Sequence, residues 1–309
     1  MTTARLPYLF LLLLVAMLAG CGGKTNLAKL GARELFNLGM EKYQKGKYLD
    51  AIDAFQATIF NYPGESQIDT AQYYLALSYF ANRDYVLGQV EFNRLITNYP
   101  ASAFAPQAQL MKAVCFFKGT PKHYGLDQSD LQTAITQFED FIIDYPESEA
   151  VPEANRYLKE ARTRLAHKYY ENGIVYVRLS DYAAARTYFQ TVIDEDTNTE
   201  YAADATYQVA ETYYRQKDWD KAHELFANFG AIWPEHPWIA SAAERSCEAA
   251  FSGGEEAFKA GDSALARRRF ERFRAACGQD ADKLKKVEEY LVLIGHVPVV
   301  EVDSADAGS

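Results

Sequence analysis

Four copies of one short phrase fix most of what this chain can become. "NYPGES" begins at Asn61, "NYPASA" at Asn98 and "DYPESE" at Asp144, and a looser "IWPEHP" begins at Ile232. Each follows an apolar run containing aromatic residues. When Leu35–Pro63, Leu75–Pro100 and Val209–Pro234 are aligned on their prolines, Phe55, Phe92 and Phe226 coincide. Tyr48, Tyr85 and Trp219 also coincide, as do the small residues Ala51, Gly88 and Ala222. The steps from Phe55 to Phe92 and from Phe189 to Phe226 are both 37 residues. Tyr48, Ala51, Ile52, Phe55, Ile59 and Tyr62 recur at i, i+3, i+4 and i+7, the spacing of one helix face. The proline stops that helix, because the residue before it is pushed out of the α region. The Ser or Glu that follows is expected to cap the next helix.

This spacing resembles the tetratricopeptide repeat, a helix–turn–helix unit of about 34 residues. Leu38, Gly39, Gly46, Tyr48, Ala51, Phe55 and Pro63 stand at that repeat's key positions. Small residues at Gly39 and Ala51 let two antiparallel helices approach closely, and Tyr48 and Phe55 fill the space beyond. A third copy is stretched to 46 residues between Phe92 and Phe138, and its extra length fits a loop at Lys118–Asp130. A fourth copy carries Gly173, Tyr176, Tyr182, Ala185 and Phe189; its first helix is long, Pro152–Leu179, with a flex expected near Pro152. The fifth is the Trp219–Pro234 unit, and a degenerate sixth matches at Gly261, Ala266 and Phe270. A final helix is expected over Ala281–Ile294. The expected fold is therefore all-α, a tetratricopeptide-repeat α-α superhelix of about five repeats plus a degenerate C-terminal sixth. Its two halves are set at residues 34–150 and 151–295. Period-two alternation, the mark of a strand, occurs only in "VPVVEV" of the tail, residues 296–309.

The N-terminal segment, residues 1–20, reads as a targeting signal. One positive charge, Arg5, precedes an apolar run from Tyr8 to Ala19, 12 residues long. That is too short to span a bilayer and suits a signal-peptide core. It ends in Leu18-Ala19-Gly20-Cys21, which resembles the lipobox of bacterial lipoproteins; an ordinary secretory signal that happens to border a cysteine is the alternative. The resemblance implies cleavage before Cys21, an S-diacylglycerol on its sulfur and an N-acyl chain on its amine. Each buried CH₂ contributes about 0.8 kcal/mol, so several acyl chains anchor stably where one does not. Gly22 stands where an aspartate would retain a lipoprotein in the inner membrane. The expected location is thus the periplasmic face of the outer membrane, with residues 21–33 as the lipidated start and linker. "GGKT" at Gly22–Thr25 is no phosphate-binding loop, since Leu18 occupies the place of the required glycine.

No catalytic pattern emerges. The five histidines lack HExxH spacing, no GxSxG elbow exists, and no metal or other cofactor is expected. A net charge of −10 argues against nucleic acid as a partner. An apolar fraction of 49 % permits a sizeable core. Cys115, in "LMKAVCFF", is expected as a buried hydrophobe. Cys247 and Cys277 are read as two separate buried thiols, with a bridge between neighbouring helices as the alternative. "ARRRFERFR" at Ala266–Arg274 is read as a solvated helix face, with a docking patch as the alternative. First-helix positions counted from the aligned glycine give a candidate groove of Phe36, Met40 and Tyr43, then Tyr73, Leu77 and Phe80, then Tyr207, Glu211 and Tyr214. Such a row suits an extended, aromatic-rich peptide; packing between repeats is the competing explanation for each member.

A lipobox, a short linker, and repeats punctuated by "YP-x-S" closely resemble the BamD family, lipoproteins of the outer-membrane β-barrel assembly machinery. The insertion in the third repeat belongs to that resemblance. So does the long helix after "DYPESEAVPEA", with "RLAHKYYENGIVYVRLSDYAAA" following. The resemblance implies a non-enzymatic scaffold, held to the membrane by its lipid anchor. It would bind a BamA-like barrel protein with periplasmic domains, other assembly lipoproteins, and unfolded outer-membrane protein precursors. The chain departs from the family by running beyond five repeats. A pilus-secretin pilotin or a Tol-Pal and cell-division coordinator is the rival scaffold.

Overall fold

The structure, a computed structural model, describes residues 26–195 and 199–296, with the side chain of 296 left out. Cys21 with its lipobox and the "VPVVEV" tail lie outside these residues. After a 3₁₀ turn at Leu27–Lys29, thirteen α-helices follow among the described residues. They are α1 (Ala32–Gln44), α2 (Tyr48–Asn61), α3 (Ile68–Ala81), α4 (Tyr85–Asn98), α5 (Ala105–Gly119), α6 (Ser129–Asp144) and α7 (Val151–Arg178). Then come α8 (Tyr182–Glu195), α9 (Glu200–Arg215), α10 (Trp219–Ile232), α11 (Ile239–Lys259), α12 (Ser263–Ala276) and α13 (Ala281–His296). None is long and apolar enough to cross a membrane. The chain divides into two compact units, one of residues up to Gly119 plus Thr136–Asn155, the other of Thr120–Ile135 plus Arg156 onward. In the first, α1 through α5 pack each on the next; in the second, α8 through α13 do the same. The helix pairs, their period and their shared core positions are those of the tetratricopeptide-repeat α-α superhelical fold.

Each pair is locked by the phenylalanine that the alignment singles out. Phe55, Phe92, Phe138, Phe189, Phe226 and Phe270 are all fully buried. In three copies the ring lies on a glycine of the preceding helix. A Cβ added at Gly39 would sit 2.6 Å from Phe55, one at Gly173 2.5 Å from Phe189, and one at Gly254 2.5 Å from Phe270. Ala76 and Ala210 hold the equivalent places opposite Phe92 and Phe226 and are themselves buried.

The turn inside each pair is equally regular. Gly46, Arg83, Ser180, Lys217 and Gly261 all have positive φ, between 61° and 81°, each nine residues before the buried phenylalanine. The paired bonds Arg83 N–H to Phe80 O and Asp84 N–H to Tyr79 O, both 2.9 Å, form a Schellman closure of α3. The same two bonds recur at Gly46/Lys47, Ser180/Asp181, Lys217/Asp218 and Gly261/Asp262. The aspartates then cap the second helices. Asp84, Asp181, Asp218 and Asp262 accept from the N–H of Leu87, Ala184, Lys221 and Leu265 at 2.9–3.5 Å. Of these five turns, the first, with Lys47 at that place, lacks a side-chain cap.

The prolines end α2, α4, α6 and α10 two residues beyond their last helical residue. Tyr62, Tyr99 and Trp233 before them share φ of −125° to −134° and ψ of 54° to 67°, outside the α region. The expected capping is corrected in detail. Ser102 and Ser148 accept from the N–H of Phe104 and Ala150, both at 3.2 Å, and so close the turn ahead of the helix. The first copy has Gln67 at the cap with no side-chain bond. Pro152 falls in the first turn of α7, where its missing N–H costs nothing.

Two further expectations are overturned. Cys247 and Cys277 form a disulfide rather than separate thiols, tying α11 to the end of α12. Closing a 30-residue separation in this way contributes about 3–4 kcal/mol through the unfolded chain. The arginine run is not simply a solvated face. Arg269 donates to Asp220 at 2.7 Å and to the Gly253 carbonyl at 2.9 Å, and Arg272 reaches the same Asp220 at 2.7 Å. The Arg269 hydrogen bonds hold the Asp220 carboxyl below its usual range. Arg267 and Arg268 remain exposed.

The packing and the turn make opposite demands, which urea denaturation can separate. Gly254→Ala forces a methyl against Phe270, so it lowers stability by about 1–3 kcal/mol. Arg83→Gly relieves a left-handed turn and raises stability by up to about 1 kcal/mol.

Candidate first-helix binding surface

Helices α1 and α3 carry the six N-terminal candidates, and the structure sorts them into two packed groups. Phe36, Met40 and Tyr43 lie half-buried against a core of Ala51, Ile52, Phe55, Ala71, Leu75 and Tyr79. Phe36 meets Phe55 edge-on at 6.1 Å. Tyr73, Leu77 and Phe80 pack on a second core that includes Phe92, Leu95 and Cys115. Phe80 stays half-buried and meets Tyr85 at 5.5 Å.

Tyr73 differs from the other five. Only 9 % of it is exposed, and its ring stacks on Phe104 at 4.6 Å. Burial pushes its hydroxyl up to about 12. The residue that joins the two groups is its neighbour Tyr74, which counting from the aligned glycine passed over. Tyr74 packs against both cores, stacks on Phe55 at 6.1 Å and meets Tyr43 edge-on at 5.4 Å. A fixed 37-residue offset selects one residue per turn, and on α3 two adjacent tyrosines share the seam between pairs.

In the second unit α9 repeats the pattern with a polar centre. Tyr207 packs on Phe226, Phe229 and Trp238, and Tyr214 meets Trp219 at 5.1 Å. Glu211, between them, is buried and paired with Arg215 and Arg245. The first-helix residues of α1 and α3 in the first unit are apolar and aromatic, and those of α9 in the second unit are charged and aromatic.

The third-repeat insertion is a built loop of residues 120–128, two residues shorter at each end than the sequence suggests. Buried Gln128 donates to the carbonyls of Pro121 and His123, at 2.9 and 3.2 Å. Arg164 of α7 donates to Pro121 O at 2.8 Å. Tyr124 lies between His123 and His167, and His167 stacks on Tyr201 at 4.9 Å. Among the described residues no group of three or more His, Cys, Asp or Glu could hold a metal ion. Cys115 is buried, and burial pushes its thiol up to about 12, so it is inert.

Exposure separates packing from surface in a way that substitution can measure. Tyr73→Ser removes a buried ring and costs about 3–5 kcal/mol, whereas Phe80→Ser costs clearly less, by urea denaturation.

Comparison with known proteins accords with this architecture. The model of the YfiO family, described as outer membrane lipoprotein, matches residues 29–201, and a tetratricopeptide-repeat model matches residues 170–235. Among curated proteins, the chain is similar to outer membrane protein assembly factor BamD of Caulobacter vibrioides. Identity is 23 % over 235 residues, covering 74 % of this chain and 77 % of that one. The BamD of Rickettsia prowazekii is 25 % identical over 234 residues, covering 75 % and 93 %. Among solved structures, the TPR2AB domain of yeast Sti1 in its pHSP90 complex aligns with a TM-score of 0.38 and 12 % identity, over 85 % of this chain and 98 % of that one. With its family model matched over more than half of its length, this chain belongs to the YfiO family of outer membrane lipoproteins.

Proposed function

We propose that this chain is a non-enzymatic scaffold of the outer-membrane β-barrel assembly machinery. The observation that carries the reading is the family match over residues 29–201, joined to relatives named as outer membrane protein assembly factors. The chain binds a BamA-like barrel protein through its repeats and receives unfolded outer-membrane protein precursors. Its mechanism is presentation: an extended segment is held on the first helices and passed to the membrane subunit. Half-buried Phe36, Met40, Tyr43, Tyr74, Leu77 and Phe80 offer an extended chain aromatic and aliphatic area without a deep pocket. Such contacts are tolerant of sequence and release readily, which suits a transfer step.

The anchor belongs to the same reading. Cys21 carries the S-diacylglycerol and N-acyl chains and holds the repeats at the periplasmic face of the outer membrane. The family description as a lipoprotein supports this, and so does the disulfide between Cys247 and Cys277, a bond that persists in an oxidising compartment.

Affinity purification of the tagged chain from gently solubilised outer membranes tests the scaffold. A barrel protein with periplasmic domains is expected to co-purify, and its absence refutes the reading. Cys21→Ala is expected to move the chain from the membrane to the soluble periplasmic fraction; a variant still retained by the membrane speaks against the lipid anchor.

A further inference from the structure

In the second unit the body of α7, the head of α9 and the turn between α10 and α11 border an open cavity of about 570 Å³. That lies within the ~300–1,000 Å³ that small-molecule sites span. Lys159 and Thr163 come from α7, Thr199 and Glu200 from the head of α9, and Trp233 and His236 from the turn. Trp233 is held by its own backbone. Its N–H donates to Phe229 O at 2.9 Å, and its carbonyl accepts from the His236 N–H at 3.1 Å. Its indole Nε1 is buried and finds no acceptor among the described residues. A buried donor left unpaired is costly, and an acceptor oxygen brought in from outside the chain relieves that cost.

Two opposite charges border the same space. Lys159 and Glu200 are both exposed, and neither is paired with the other or with any other described residue. The other polar groups are engaged. His236 accepts the N–H of Trp238 on Nδ1 at 3.3 Å, and its Nε2 lies 3.6 Å from Asp204 Oδ1. Thr163 donates to the Lys159 carbonyl at 2.9 Å. The cavity therefore offers one cation, one anion and one buried neutral donor. A purely anionic ligand gains from Lys159 and Trp233 but meets Glu200, and a purely cationic one gains from Glu200 but meets Lys159. A ligand that carries both charges gains from all three.

We propose that this cavity binds a small amino-phosphate zwitterion, a phosphate ester joined by a short linker to an ammonium. The phosphate accepts from Trp233 Nε1 and from the Lys159 ammonium, and Glu200 binds the ligand's ammonium. Phosphate is preferred to carboxylate by the donors themselves. They come from two different elements, α7 and the α10–α11 turn, and a tetrahedral phosphate turns oxygens to both at once. A lysine acts on phosphate as a point charge, and the cavity has no arginine fork to match a planar carboxylate. Free phosphoethanolamine and the ethanolamine headgroup of a phospholipid share this chemistry. The site uses residues on which the scaffold reading does not rest, so either can fail without the other.

The test uses the full chain in a non-ionic detergent, with its tryptophans labelled with nitrogen-15. The Trp233 indole resonance is assigned by its loss in Trp233→Phe. Phosphoethanolamine, glycerophosphoethanolamine, inorganic phosphate, ethanolamine and glycylglycine are titrated in turn. Phosphoethanolamine or its glycerol diester, or both, is expected to bind about 10-fold or more tightly than phosphate or ethanolamine alone, and to move the indole proton downfield. A preference for the diester identifies the lipid headgroup as the source, and a preference for the monoester identifies the free compound. Lys159→Gln and Glu200→Gln change exposed side chains and are expected to keep the native urea midpoint while removing the advantage of the zwitterion. Trp233→Phe keeps the ring and is expected to weaken binding about 5-fold. Binding of both amino-phosphates no better than phosphate or ethanolamine overturns the site. So does binding that leaves the Trp233 resonance unmoved, or an advantage that survives in the folded Lys159→Gln and Glu200→Gln variants. Glycylglycine binding as tightly as the amino-phosphates overturns the assignment to phosphate.

Discussion

Everything in this protein depends on a phenylalanine ring set against a small residue of the helix before it. The ring is fully buried in all six copies; in three of them a glycine lies opposite with no space for a Cβ, and in two a buried alanine holds that place. Burying an aromatic side chain stabilises by about 1.5–3 kcal/mol, more than any single bond in the turn. That contact fixes the spacing of each pair, and the spacing dictates which first-helix residues touch the next pair. Tyr73, Tyr74 and Phe80 are where they are because Phe55 and Phe92 are where they are.

Charge enters between pairs, where the aromatic seam gives way. Asp220 of α10 receives Arg269 and Arg272 from α12, and Glu211 of α9 receives Arg245 from α11. Both links join one pair to the next in the second unit. They fall in the part of the chain that also carries the disulfide, beyond the residues matched by the lipoprotein family model. The bridge and the ion pairs add to the packing that joins these repeats.

The first-helix aromatics of α1 and α3 are shared between core and surface. The rings on α1 and α3 complete the core with one face and leave an edge at the surface with the other. An edge-on tyrosine or a methionine can meet many apolar partners of similar size.

Much of this is written along the chain. The 37-residue step, the phenylalanine register, the insertion and the long α7 follow from the spacing of prolines and aromatics, because helix periodicity and proline stereochemistry are local. The Schellman aspartates are equally local, yet they are dispersed among many other acids and emerge only once the turns are seen. The expected lipobox at Leu18–Cys21, too, rests on the sequence alone. Tertiary structure decided the rest. Pairing of Cys247 with Cys277 depends on how α11 meets the end of α12, and spacing along the chain is silent on that. The partition of five arginines into exposed Arg267 and Arg268 and buried-side Arg269 depends on where Asp220 arrives from a different helix pair. Tyr74 joins the two cores because the seam between pairs passes beside it, one residue away from the position a fixed repeat offset selects. Contacts of this kind are set by the angle at which one pair packs on the next, and no local pattern encodes that angle.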